Sequence, residues 1–130
     1  MTRRSRAHNE HGQTMVEFIL VLPVLLIVLF GIFQFGITFK NYIALTDAVR
    51  AGARTAAVSR YSVDPVADTK ARVKTASDLS GMVDSDVQVT STWLHGADVV
   101  VTAKYPYRIS LLGVVVASGD LTSSTTERVE

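Results

Sequence analysis

The chain has 130 residues, the length of one domain, and it is 48% apolar with a mean hydropathy of +0.27, more than the core of a soluble domain this size requires. Thirteen Lys and Arg against twelve Asp and Glu leave a formal charge of +1, which excludes the basic excess that a nucleic-acid binder uses to hold phosphates. The absence of cysteine excludes disulfides, thiolate metal sites and a cysteine nucleophile, and His8, His11 and His95 are scattered, so neither a metal nor a cofactor is expected.

The chain opens on a polar stretch, MTRRSRAHNEHG, carrying Arg3, Arg4 and Arg6 and no large apolar residue after Met1, which reads as a leader with nothing to fold. From Phe18 to Phe39 there follow 22 residues without a charge, with Gln34 and Thr38 the only hydrogen-bonding side chains among them. At about 1.5 Å per residue this run covers roughly 30 Å as a helix, the thickness of a bilayer's hydrocarbon core. A secretory signal peptide is the competing reading, but it needs a shorter apolar run and a small-residue cleavage site, and here the run ends in FKNY. Pro23, Gly31 and Gly36 lie inside the run, where a membrane span tolerates them better than a soluble helix does.

Beyond the run, Tyr42, Leu45 and Val49 mark one face of a continuing helix, while Ala44, Ala48, Gly52 and Ala56 repeat at a spacing of four along another. The spacing predicts one helix from Met15 to about Ser59. The small-residue stripe suits close helix approach, either in a membrane or under the protein's own sheet. Asp64 before Pro65 predicts the start of a second short helix, running to about Leu79 and stopping at Gly81. Alternation over Val87–Leu94 and Asp98–Tyr105 predicts a hairpin turning at His95-Gly96-Ala97. Pro106 is expected to end the second strand, Ser110–Ser118 to form an apolar loop or short strand, and Leu121–Val129 to form a third strand. The predicted class is therefore α+β: a long amino-terminal helix, a second short helix and a small antiparallel sheet.

The informative chemistry lies at the edge of the span. Glu17 is the one carboxylate between the leader and Asp47, and a charge entering lipid generally has a partner. It marks either the interfacial end of the span or a pairing site. Cleavage after Gly12 would make Gln13 the terminus and set its α-ammonium one helical turn before Glu17. Elsewhere the bland readings are better: His95 as a turn residue, Trp93 as sheet core, and Asp47 with Arg50 as a solvated helix face. No nucleophile motif or oxyanion loop accompanies His95, so an enzyme is not expected.

A short basic leader ending in glycine, a glutamate five residues later followed by an aromatic, and then some twenty apolar residues resembles a type III prepilin signal, HG|QTMVEF with the bar at the expected cut. The run GQTMVEFILVLPVLLIVLFGIFQFG, followed by AVRAGARTAA and later VVVTAKYPYRI, is similar to the TadE-like minor pseudopilins of the Flp/Tad tight-adherence pilus system. Gln13 departs from the phenylalanine or methionine that begins many mature pilins.

The resemblance implies a pilin-like fold and a role in assembly or initiation of pili, not catalysis. Its residues carry over as Gly12 and Gln13 flanking the cut, Glu17 as the acidic position and Phe18 as its aromatic neighbour. The implied organisation is a prepilin leader over 1–12, a transmembrane helix over 13–39 and an extracytoplasmic pilin-like domain over 40–130. The implied partners are the membrane, a prepilin peptidase, other pilins or pseudopilins and the Tad secretion machinery, with no nucleic acid and no small-molecule substrate. The expected location is the inner or cytoplasmic membrane in a single pass, with incorporation into a surface pilus left open. Charge does not orient the span, because Arg3, Arg4 and Arg6 before it are matched by Lys40, Arg50 and Arg54 after it. The resemblance places the amino end in the cytoplasm. The alternative is a single-pass anchor displaying a small binding domain with no filament role, and the mature amino terminus discriminates the two.

Overall fold

The computed structural model describes residues 7–111 and 113–130. The structure is α+β: a long helix α1 (Ala7–Val58), a short helix α2 (Pro65–Ser77) and an antiparallel sheet of β1 (Val87–Ser91), β2 (Asp98–Leu111) and β3 (Val114–Arg128) in the order β1-β2-β3. Short 3-10 turns at Ser59–Tyr61 and Asp84–Asp86 lead into α2 and β1.

α1 begins earlier than the expected Met15, so residues 7–12 of the expected leader are helical; Arg3, Arg4 and Arg6 lie outside the described residues. Extending an existing helix adds one hydrogen bond per residue fixed, so a polar stretch without proline follows the apolar helix it abuts. Pro23 sits inside α1, which continues through it. α1 gives way to the 3-10 turn at Ser59, where the Ser59 hydroxyl donates to the Thr55 carbonyl at 2.6 Å.

α2 starts where Asp64 and Pro65 direct, the Asp64 carboxylate accepting from the Ala67 amide at 2.9 Å. It stops short of Leu79 because Asp78 takes a left-handed conformation, φ 50°, and caps the helix. α2 packs across α1 at Gly52, where a β-carbon would lie 2.3 Å from Val73 Cγ2. Glycine is what lets the two backbones come this close.

The core forms where α1, α2 and the sheet meet. Leu45, Ala48, Val49, Ala53 and Ala56 of α1 are buried with Val73 of α2 and with Val87, Val99, Val101, Ala103 and Val129 of the sheet side. Burying a Val or Leu side chain contributes roughly 1.5–3 kcal/mol each, so this cluster is a main stabilising contribution to the carboxy-terminal part. Trp93, Tyr105 and Leu121 pack against its margin.

The sheet departs from the expected strand ends in three places. β1 stops at Ser91 rather than Leu94 because Trp93 adopts φ 56°, which no ladder residue can hold. β2 does not end at Pro106: it runs to Leu111, with Pro106 in register with Asp120. β1 pairs with β2 only as far as Ala103, so beyond that point one edge of β2 is open and a proline's missing N–H costs no ladder bond there. Of the two readings of Ser110–Ser118, loop or short strand, the strand holds on either side of a turn at Gly113, and the third strand starts at Val114 rather than Leu121. A register shift between Ile109 and Ser110 leaves Val116 as an extra residue on β3, a bulge that bends the hairpin. Gly113, φ 84°, supplies the left-handed residue that the turn into β3 needs.

Candidate functional site

The features singled out in the sequence lie along α1, and the structure divides them into two groups. At the amino-terminal end, Gly12, Gln13, Val16 and Glu17 line an open surface groove. The Gln13 side-chain amide donates to Glu17 Oε1 at 3.2 Å, one turn along the helix. Helical spacing therefore brings position 13 against the Glu17 carboxylate. Phe18 next to it is 60% exposed.

From Met15 to Phe39 the large apolar side chains are exposed on every side of the helix, Leu22 alone among them being half-buried. Among the described residues, α1 is the one helix long and apolar enough to cross a membrane, and none of its most apolar stretch is buried within the chain. A helix apolar all round and covered by nothing in its own chain is stable only in an apolar surrounding. Thr38 answers its own hydroxyl by donating to the Gln34 carbonyl at 3.0 Å, which removes a polar group from that surface. Pro23, Gly31 and Gly36 stand in this stretch, and among the described residues nothing beyond the adjoining turns of the helix itself comes within 4 Å of where a β-carbon would stand on either glycine.

The second group, Ala44, Ala48, Gly52 and Ala56, continues the same helix into the core. Ala48, Gly52 and Ala56 are buried and Ala44 is half-buried. The close approach that this stripe permits is used inside the chain, against Val73 and the Thr69 carbonyl of α2. On the opposite face Asp47 and Arg50 are both exposed with 3.7 Å between their charged atoms, a solvated pair that contributes little.

The remaining candidates do not converge. His95 and Gly96 form the turn before β2, at the rim of an open depression of about 500 Å³ shared with Arg54, Ala57 and the carboxy-terminal residues. That turn is tied to the chain end by hydrogen bonds from the Gly96 amide to the Val129 carbonyl and from the Val129 amide to the Ala97 carbonyl, both 2.8 Å. These bonds give Gly96 and Ala97, beside His95, a structural task. Among the described residues no three His, Asp or Glu side chains lie together as a metal site would need. Two polar links were not foreseeable from spacing. Lys74 of α2 is paired with Asp84, whose carboxyl its hydrogen bond and charge hold below the ordinary range, and the Tyr105 hydroxyl donates to the Ser80 carbonyl at 3.1 Å.

The stretch that starts at the groove glycine, runs through the exposed apolar helix and ends within the buried stripe also carries a likeness to a known family. Residues 12–54 match the TadE-like protein family. No match was found among curated proteins or among solved structures. TadE-like proteins are a pilus-associated structural family. The TadE-like stretch runs from Gly12 to Arg54, so it contains Gln13, Glu17 and Phe18, the whole apolar segment, and Ala44, Ala48 and Gly52 of the stripe. Its single apolar helix is consistent with a single-pass membrane anchor.

Proposed function

We propose that the protein is a minor pseudopilin that acts in assembly or initiation of Flp/Tad-type pili, and that a prepilin peptidase removes residues 1–12. One observation carries the reading: the family match begins at Gly12, the residue placed before the scissile bond, and takes in Glu17 one turn beyond Gln13. Residues 13–39 cross the inner or cytoplasmic membrane with the amino end cytoplasmic, and residues 40–130 form the extracytoplasmic head. Its partners are the peptidase, other pilins or pseudopilins and the Tad secretion machinery.

The Gln13–Glu17 contact supports a role for the carboxylate after cleavage. In the uncut chain the position 13 side chain reaches Glu17; in the cut chain the new α-ammonium at Gln13 stands on the same helical turn, or on a neighbouring subunit, and supplies a full charge. Pairing of this kind fixes the subunit's depth in the membrane. Phe18 adjoins it as an aromatic at the interfacial end of the span.

The test is the mass of the membrane-extracted protein together with one variant. Removing 12 of the 130 residues leaves a mature chain of 118 beginning at Gln13. Glu17→Gln keeps the shape and lowers the cost of insertion, so the variant should be inserted and cut after Gly12 yet fail to support surface pili. A native terminus at Met1 would replace this reading with the single-pass anchor. Normal piliation by Glu17→Gln would reduce Glu17 to an interfacial marker.

A further inference from the structure

The β2–β3 hairpin continues well past the part of the sheet that α1 and α2 cover. β1 stops pairing at Ala103, and the last hairpin residues packed on the core are Tyr105 and Leu121. Beyond them the two strands carry Ile109 and Leu111, both half-buried, and Val114, Val115 and Val116, which are 66%, 49% and 56% exposed. An exposed apolar tip of this kind, projecting from a sheet and far from the core, marks a surface with something to bind.

Its direction follows from the contacts. The chain end is fixed at the far end of α1, where the Glu130 amide donates to the Ala57 carbonyl at 3.0 Å, and β2 starts at that level because Asp98 is in register with Arg128. The buried residues of α1 all lie back from Ala57 toward its amino end, as far as Leu45. The sheet that covers them must run the same way, toward the apolar segment. From Tyr105 to Leu111 the hairpin advances about 20 Å further at roughly 3.3 Å per residue. From Leu45 back to Phe39, the end of the apolar run, is only about 9 Å at 1.5 Å per residue. The tip thus reaches the level at which the apolar segment begins.

The sequence of the hairpin is graded to suit that position. Lys104 and Arg108 are exposed and interleave with Tyr105 and Tyr107, and Arg108 is the one charge from Tyr105 to Gly119. Tyrosines and basic residues behind an apolar tip are the order of groups met on crossing from water through headgroups into acyl chains. Tyr107 is held in place by lying over Gly119, where a β-carbon would come 3.1 Å from the ring. Asp120, the first acidic residue behind the tip, is opposite Pro106, on the water side of that order.

We propose that the β2–β3 hairpin tip inserts into the interfacial layer of the same membrane that α1 crosses, making a second, shallow membrane contact that fixes the tilt of the head. The lipid surface is favoured over a second copy of the chain because the tip reaches membrane level on its own chain. The proposal rests on α1 spanning a bilayer and on nothing else in the functional reading.

The chain has no cysteine, so single labels can be placed in the full-length protein. Val115→Cys, Val114→Cys, Leu29→Cys and Val63→Cys would each carry an environment-sensitive fluorophore in phosphatidylcholine–phosphatidylglycerol vesicles, with folding checked by Trp93 fluorescence. With an interfacial segment sitting roughly 5–10 Å into the boundary, both tip labels should be quenched about twofold or more by lipids bearing a nitroxide near the headgroup. The Leu29 label should be quenched by a nitroxide deep in the acyl chain, and the label at Val63, fully exposed beyond α1, by neither. Tip labels open to aqueous iodide while the Leu29 label is quenched would overturn the proposal and leave the span intact. Tip labels shielded from both iodide and lipid would show a protein surface covering them, and would also overturn it. A Leu29 label outside the bilayer would remove the span itself, and the proposal with it.

Discussion

Gly36 and Gly52 stand on one continuous helix, sixteen residues apart, and their surroundings are opposite. Around Gly36 there is open space; at Gly52 a single added carbon would collide with Val73. The same contrast separates Leu29, 44% exposed, from Leu45, wholly buried. One element therefore has two solvents. Its first part is apolar all round and finds no partner in the chain, so its stability depends on what surrounds the molecule; its second part has one apolar face and one polar face, and the chain itself supplies the cover. The boundary falls between Phe39 and Leu45, where charges begin with Lys40 and burial begins with Leu45.

The contrast breaks most visibly at the two leucines. Leu45→Ala leaves a cavity in the core and should destabilise the head by about 2–5 kcal/mol, which for a domain of this size lowers Tm by roughly 8–25 °C. Leu29→Ala should leave that transition where it is, within about 0.5 kcal/mol, because its side chain contacts nothing the head contributes. Thermal unfolding of the detergent-solubilised chain, followed through Trp93 at the margin of the core, reads both. Equal effects would mean that the apolar segment and the head unfold as one unit.

The glycines should show the same division on a smaller scale. Alanine is the better helix former by about 1 kcal/mol, so Gly36→Ala should be neutral or slightly stabilising to α1. At Gly52 that gain is opposed by overpacking. Val73 is buried and β-branched, with little freedom to rotate away within a helix, so Gly52→Ala should cost the head about 1–3 kcal/mol on balance. The same thermal measurement separates the two, and a stabilised Gly52→Ala would show that α2 can retreat from α1 without loss.

This division was legible in the sequence to the extent that it is written in periodicity. An uninterrupted apolar run, the Leu45 and Val49 face, the small-residue spacing and the Asp64-Pro65 signal each act locally, and each produced the expected element. What escaped was set by partners distant in the chain. Pro106 reads as a strand end because its cost depends on whether a neighbour needs its N–H, and only the short reach of β1 shows that none does. Trp93 continues the alternation in sequence yet turns left-handed, held by its amide donating to the Ser91 hydroxyl at 3.1 Å while that hydroxyl donates to the Asp98 carbonyl at 3.0 Å. The hairpin tip was visible as the string LLGVVV, but a run of apolar residues does not say whether it will be covered. At the amino-terminal end of the candidate site, Gly12, Gln13 and Glu17 were legible because helical spacing alone brings them together.

The smallest expected effect lies in the head and distinguishes it from the apolar segment by its response to pH. Asp84 is linked to Lys74 across the gap between α2 and β1, and the lysine's hydrogen bond and charge, with a weaker contribution from Lys70, lower its pKa. A carboxyl lowered in the folded state binds its proton more weakly there than in the unfolded chain. Its contribution to stability is therefore complete above the ordinary carboxylate range and is lost as the pH falls through that range to the lowered folded value. Because the pair is at the surface, the change should be smaller than that from Gly52→Ala and should shrink further in high salt. Asp84→Asn removes the titrating group and should flatten this part of the Tm profile in acid while leaving membrane extraction unchanged. An identical acid profile in the variant would show that the Lys74 contact is open in solution, and that α2 is held against the sheet by the apolar contacts around Val73 alone.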